Sequence, residues 1–178
     1  MILFLRNTLF LMAAAILPFS ACTQSKQNHP KCEDASFDSM LEQLLRFSVP
    51  VISCNELHKN RSSYLVLDTR EWKEFNVSHI PGARFAGYNS FDWNVLSKVP
   101  KNSPIVVYCS VGYRSEKIGE KIIAAGYTNV KNLYGSIFEW ANIGLPLEDN
   151  SGKAVAKLHT YNKDWGRWIK KKSVIKVN

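Results

Sequence analysis

Cys109 is the residue in this chain best placed to do chemistry. It follows the apolar run Ile105-Val106-Val107-Tyr108 and opens the segment Cys109-Ser110-Val111-Gly112-Tyr113-Arg114-Ser115, after which helical spacing begins. A short loop between strand and helix can curl its backbone N–H groups inward, and Gly112 permits the backbone geometry such a curl needs. The helix behind it adds unpaired N–H groups and the positive end of its dipole. Arg114 adds a charge that does not titrate away, and a cation at a helix start opposes the dipole, which points to an anion close by. All three favour negative charge at the centre of the loop, so the Cys109 thiol is expected to ionise well below the roughly 8.5 of a free cysteine. Ser110, Val111 and Tyr113 are expected to offer backbone N–H groups, their side chains lining the entrance. A thiolate is the competent nucleophile, and the same cradle would hold the charge of a persulfide formed on it.

Placing a cysteine at the end of a buried strand requires an α/β framework. Tyr64-Leu65-Val66-Leu67 and Ile105 to Tyr108 are four-residue apolar runs. Runs apolar on both faces belong to buried parallel strands, which helices must cover. Helical patterns follow each run, over Trp72 to Val77 and over Glu116 to Ala125. Ile118, Ile122, Ile123 and Ala125 form the buried stripe of the second, and Gly126 closes it. Asn129 to Leu133 reads as a further strand, and Ser136 to Ala141 as a helix stopped by Gly144 and Pro146. Ahead of these, residues 37–47 have helical apolar spacing, Val49 to Ile52 is extended, and Ser53-Cys54-Asn55-Glu56 fits a capping box. The expected architecture is α/β, a central parallel sheet flanked by helices on both faces. Open α/β sheets gather their chemistry at the carboxyl ends of the strands, where Asp68 and Arg70 join Cys109. Those two are expected to form an ion pair that braces the site. His79, within Ser78-His79-Ile80-Pro81-Gly82-Ala83, is expected to anchor a turn, since an ionised thiolate needs no general base.

The motifs, taken together, resemble the single-domain rhodanese family. Cys109 to Ser115 is similar to its Cys-x-x-Gly-x-Arg-Ser active-site loop. Upstream, Leu67-Asp68-Thr69-Arg70-Glu71, Phe75 and Ser78 to Ala83 resemble the family's first motif pair. Downstream, Gly126 to Val130, Leu133-Tyr134-Gly135-Ser136, Trp140 and Gly144-Leu145-Pro146 resemble its closing segment. The likeness covers roughly residues 50–148 and departs at Ser136, where the family more often has glycine. It implies a rhodanese-like fold and ping-pong sulfur transfer without metal or organic cofactor. Cys109 would take the sulfane sulfur of a small anionic donor such as thiosulfate and pass it to cyanide or a thiol. Arg114 and the loop N–H groups would bind the donor and the leaving group. The fold also resembles that of certain cell-cycle phosphatases and arsenate reductases, but those use Cys-x5-Arg. Here Arg114 gives Cys-x4-Arg, a tighter loop suited to one sulfur atom. A non-catalytic binding module of the same fold is a third reading, against which the presence of Cys109 argues.

The ends of the 178-residue chain carry separate signals. Residues 1–21 read as an export signal: Arg6, then an apolar stretch from Leu9 to Leu17, too short to span a bilayer. Ser20-Ala21 directly before Cys22 resembles a lipobox, departing from it at Phe19 where leucine is usual, so Cys22 is expected to be acylated, with residues 22–35 a linker, a plain secreted protein cut nearby being the alternative. This predicts an exported lipoprotein of the periplasm or cell envelope, held at the membrane by its anchor. The domain is expected over residues 36–150, with a leading helix at 36–47, and an extension over 151–178. In an oxidising compartment Cys32 and Cys54 could pair or stay free, and sequence leaves both open. Net charge is +8, of which +7 falls in Lys153 to Asn178, where eight basic residues face Asp164 alone. Tyr161, Trp165 and Trp168 lie among those lysines. The tail is expected to pack its aromatics on the domain with its lysines solvated, anionic lipid contact being the sharper alternative. Nucleic acid is not an expected partner of an exported protein.

Overall fold

A computed structural model describes residues 29–178. The expected export signal, Cys22 and the first half of the linker lie outside the described residues. Helix α1 spans Ala35–Leu44, with Asp34 accepting the Phe37 N–H at its start. It is followed by strand β1 (Val51–Ile52) and helix α2 (Cys54–Lys59), capped by Ser53. Then come β2 (Leu65–Asp68), α3 (Trp72–Val77), β3 (Arg84–Phe85), β4 (Ile105–Tyr108) and α4 (Tyr113–Ala124). Strand β5 (Val130–Leu133) and helix α5 (Ser136–Asn142) complete the α/β unit.

The five strands form one parallel sheet in the order β1-β5-β4-β2-β3. Side chains alternate across it, which splits the core in two. Val106 and Tyr108 pack with Phe37, Leu41, Ile137 and Trp140, so α1 and α5 cover one face. Ile105 and Val107 pack with Ile118 and Ile122 of α4 on the other. Helices on both faces are what the doubly apolar strands require.

Several expected boundaries move by one or more residues, three of them beside the site. The leading helix ends at Leu44, because Leu45 is extended and Phe47 takes φ +54°. The second strand begins at Leu65 and runs through Asp68. Helix α4 begins at Tyr113, three residues before the expected start at Glu116, so Tyr113, Arg114 and Ser115 form its first turn and are not loop.

The tail is built into the domain. Strand β6 (Leu147–Glu148) pairs antiparallel with β7 (Ala154–Val155), and β8 (Lys157–His159) pairs parallel with β9 (Ile175–Val177). Between β8 and β9 the short helix α6 (Lys163–Gly166) is capped by Asn162, whose Oδ1 accepts the Trp165 N–H. Asn142 of α5 fastens this segment: its Nδ2 donates to the Trp168 carbonyl at 2.9 Å, and its Oδ1 accepts the Lys170 N–H at 2.8 Å. The Trp168 ring lies 5.5 Å from Phe37, and Trp165 packs on the same core. Trp165 and Trp168 therefore pack as the sequence suggests, Tyr161 stays half exposed, and the tail lysines are exposed.

Candidate active site

Register brings the expected site residues to one edge of the sheet. Asp68 lies beside Tyr108, so the residues that follow each strand, Thr69 and Cys109, emerge together. Thr69 ties the two ends, donating both its N–H and its hydroxyl to the Tyr108 carbonyl at 2.9 Å.

Cys109 sits at the floor of the loop with 1% of its surface exposed. Gly112, at φ +119°, caps α4 and turns its N–H onto Cys109 Sγ at 3.2 Å. An added side chain would find ordinary contacts there, 3.5 Å from Leu45, so it is the backbone conformation that calls for glycine. Ser115 donates its hydroxyl to Asn132 Oδ1 at 2.7 Å, and Asn132 Nδ2 donates to the Gly112 carbonyl, which holds the cap from below. Among the described residues, the amides of Ser110, Val111 and Tyr113 make no hydrogen bond to the thiol itself. Burial opposes ionisation of Cys109. The charge of Arg114, the hydroxyl and N–H of Ser115 and the Gly112 N–H outweigh it, leaving the thiol below its ordinary value.

Arg114 is not a free cation. Its Nη1 and Nη2 each donate to one oxygen of Glu74 at 2.7 Å, and Nη2 also donates to Ser110 Oγ at 3.0 Å. Ser110 thus takes part through its side chain. The Tyr161 ring lies 5.2 Å from the guanidinium carbon. Glu74 is the anion that the helix-start argument required, and no reading of the sequence singled it out. It lies wholly buried in α3, and its second carboxylate oxygen also accepts the Glu71 N–H in a capping box. That reciprocal Glu71/Glu74 cap is the local signal that could have drawn attention to it.

Asp68 and Arg70 form the expected ion pair, both fully buried: Nη2 meets Oδ2 at 2.6 Å and Nε lies 3.0 Å from both oxygens. Arg70 Nη2 also donates to the Ser78 carbonyl at 2.7 Å, joining the end of β2 to the end of α3. His79 stacks on Phe75 and pairs backbone to backbone with Glu148, so its ring anchors the turn away from the thiol.

Ser136 is the position where the sequence departs from the family pattern. It adopts φ +52°, the left-handed region that favours glycine, and uses its side chain to advantage. Its Oγ accepts the Cys109 N–H at 3.2 Å and donates to the Leu133 carbonyl. The first N–H groups of α5 close the other side, Ile137 donating to the Cys109 carbonyl and Phe138 to that of Ser110.

The other two described cysteines differ sharply from Cys109. Cys32 and Cys54 are free thiols, not a disulfide. Burial, seconded by the charge of Glu139, pushes both thiols up.

Above Cys109 opens a cavity of about 380 Å³. Arg114 and Val111 share its floor, and Leu44, Tyr88, Tyr113, Tyr161 and Trp165 form its walls. Two of those walls come from the tail.

The fold and site define an α/β protein with a parallel sheet and a cysteine at the head of a strand–helix loop. The rhodanese-like domain model matches residues 53–143, just over half of the chain. The chain belongs to the rhodanese-like domain family. A chloroplastic thiosulfate sulfurtransferase of Arabidopsis thaliana is 33% identical over 93 residues, covering 46% of this chain and 78% of that protein. An adenylyltransferase and sulfurtransferase of Candida albicans is 24% identical over 118 residues, 62% of this chain, and the match spans only 26% of that protein. The solution structure of a rhodanese-like domain from Anabaena sp superposes with a TM-score of 0.53 at 24% identity, covering 56% of this chain and 79% of that one. That likeness carries the fold.

Proposed function

We propose that the protein is a sulfurtransferase that moves a sulfane sulfur from thiosulfate or a related donor to a thiol or cyanide through a persulfide on Cys109. The observation that carries this reading is the Cys109 thiol held below its ordinary value by Arg114, Ser115 and Gly112 at the bottom of an open cavity. In the first step the thiolate attacks the outer sulfur of thiosulfate. The new bond joins Sγ to that sulfur, the sulfur–sulfur bond of the donor breaks, and sulfite leaves with the electron pair. In the second step an acceptor thiolate or cyanide attacks the outer sulfur of the persulfide, and the pair returns to Cys109 Sγ. Each step starts and ends with the same total charge. The cradle that stabilises the thiolate stabilises the persulfide anion one atom further out. Arg114 contributes its field and its grip on the loop. Donor binding then falls to the loop amides that the thiol leaves unused, those of Ser110, Val111 and Tyr113. Asp68, Arg70 and His79 act as bracing.

The test is turnover of thiosulfate and cyanide by the full chain, alongside Cys109→Ala and an aryl phosphate. Thiocyanate formation abolished by Cys109→Ala is the expected result. Phosphate release without thiocyanate would move the protein to the phosphatase reading, and turnover of neither to the binding module.

For location, we hold to export and acylation at Cys22, supported by the sequence of residues 1–22. Labelling with a palmitate analogue should mark the wild type and not Cys22→Ala. Contact of the tail with anionic lipid rests on its +7 charge. Vesicle binding unchanged on deleting residues 152–178 would remove it.

A further inference from the structure

The walls of the cavity bear on which acceptor the persulfide meets. The loop amides of Ser110, Val111 and Tyr113 can receive an anionic donor at the level of Cys109, but further out a bare anion such as cyanide would need unpaired positive charge. Among the described residues, the one ionic side chain lining the cavity, Arg114, is already neutralised by two 2.7 Å bonds to Glu74. Its remaining face lies against the Tyr161 ring. Apart from Cys109 and Ser110 at the loop, the other lining residues are apolar or aromatic: Leu44, Tyr88, Val111, Tyr113, Tyr161 and Trp165. At about 380 Å³ it falls in the range of sites that hold organic ligands, about 300–1,000 Å³, and far exceeds what a handful of heavy atoms would fill.

Two walls are held in place. The Tyr161 N–H donates to His159 Nδ1 at 3.0 Å, the Trp165 N–H to Asn162 Oδ1 at 3.0 Å, and the segment is clamped to α5 through Asn142. A preformed apolar wall lowers the ordering cost of binding a ligand against it. The outer sulfur of a Cys109 persulfide would project from the loop towards these rings.

We propose that the sulfur acceptor is a low-molecular-weight organic thiol carrying an aromatic or bulky apolar group next to its sulfur, bound by the tail residues Tyr161 and Trp165. This rests on the sulfurtransferase reading and assigns the specificity of that site to a segment outside the matched family domain, residues 53–143. The acceptor thiolate attacks the outer persulfide sulfur, forms its own persulfide, and returns the electron pair to Cys109.

The experiment is a single-turnover measurement on the full chain. Cys109 is loaded from thiosulfate, excess donor is removed, and loss of the bound sulfur is followed by intact mass spectrometry after adding 2-phenylethanethiol or 2-mercaptoethanesulfonate at equal thiolate concentration. The aromatic thiol is expected to unload the protein roughly tenfold faster or more, as expected for burial of an aromatic ring. In Trp165→Ala the two rates should come within about threefold of each other. Because Trp165 also packs on the core, Tyr161→Asn provides a second variant: asparagine tolerates the φ +67° of that position, so the ring is removed without backbone strain. It should narrow the ratio as well, while Trp93→Ala, which alters an exposed aromatic outside the cavity, should keep it. Equal rates in the wild type, or a ratio that neither tail variant narrows, would overturn the proposal while leaving the sulfurtransferase reading intact. Failure of Cys109 to take up any sulfur would overturn both.

Discussion

Arg114 and Glu74 face each other with two parallel hydrogen bonds of 2.7 Å, each guanidinium nitrogen on its own carboxylate oxygen. The pair joins the first turn of α4 to α3, and so fixes the distance between the cysteine loop and the segment that follows β2. Burial alone would push the Glu74 carboxyl up, but the hydrogen bonds and charge of Arg114 hold it below the usual range.

Glu74→Gln should separate the structural and electrostatic roles of the pair. Leaving a partly buried guanidinium without its counter-ion should cost about 3 kcal/mol of stability. That corresponds to a fall in Tm of roughly 6–12 °C for a chain of this size. The charge of Arg114 then acts uncompensated on Cys109, so the thiol should become more acidic in a less stable protein. Arg114→Met should shift the thiol the other way. Thermal melts combined with the pH dependence of alkylation read both quantities.

The acidity of Cys109 sets a pH profile. Its thiol is lowered in the folded protein, so the rate of reaction with iodoacetamide should rise with pH to a plateau with a midpoint below the roughly 8.5 of free cysteine. The linked stability has the same sense. It is fully present above the unfolded thiol's pKa and is lost as pH falls through the folded one. Cys109→Ser should remove that part of the pH dependence of the melting temperature.

Alkylation should also discriminate among the thiols. All three thiols are buried, but Cys109 is lowered and lines the cavity while Cys32 and Cys54 are pushed up, so peptide mapping after brief treatment of the native protein at neutral pH should find Cys109 labelled and these two unmodified. Denaturation should expose both without added reductant, since they form no disulfide.

Ser136 offers a test in which two effects compete. Ser136→Ala keeps the left-handed backbone and leaves the buried Cys109 N–H without its acceptor, which should cost about 1–3 kcal/mol. Ser136→Gly loses the same acceptor but relieves a strained backbone worth about 1 kcal/mol or more. The glycine variant should therefore melt above the alanine variant.

Much of this site can be read from residue order, because its parts lie at the ends of local patterns. The run Ile105 to Tyr108 declares a buried strand, and a cysteine, a glycine and an arginine behind it declare an anion cradle. Glu74 escaped notice because a glutamate in a short polar helix looks solvated until tertiary packing buries it. The start of α4 was placed three residues late because Tyr113-Arg114-Ser115 carries no apolar period. Strand β3 is only Arg84–Phe85, too short to alternate. Tyr161 and Trp165 were legible as packing aromatics, but their place over Cys109, about fifty residues away, follows from the clamp between Asn142 and the tail, a long-range contact that no local pattern encodes.

The central claim is that an ionised Cys109 carries sulfur. Intact mass spectrometry of the full chain after brief treatment with thiosulfate at neutral pH tests it most directly. The expected result is a gain of the mass of one sulfur atom, mapped to Cys109, removed by cyanide and absent in Cys109→Ser. An unchanged mass in the wild type, with a thiol that titrates no lower than a free cysteine, would contradict it.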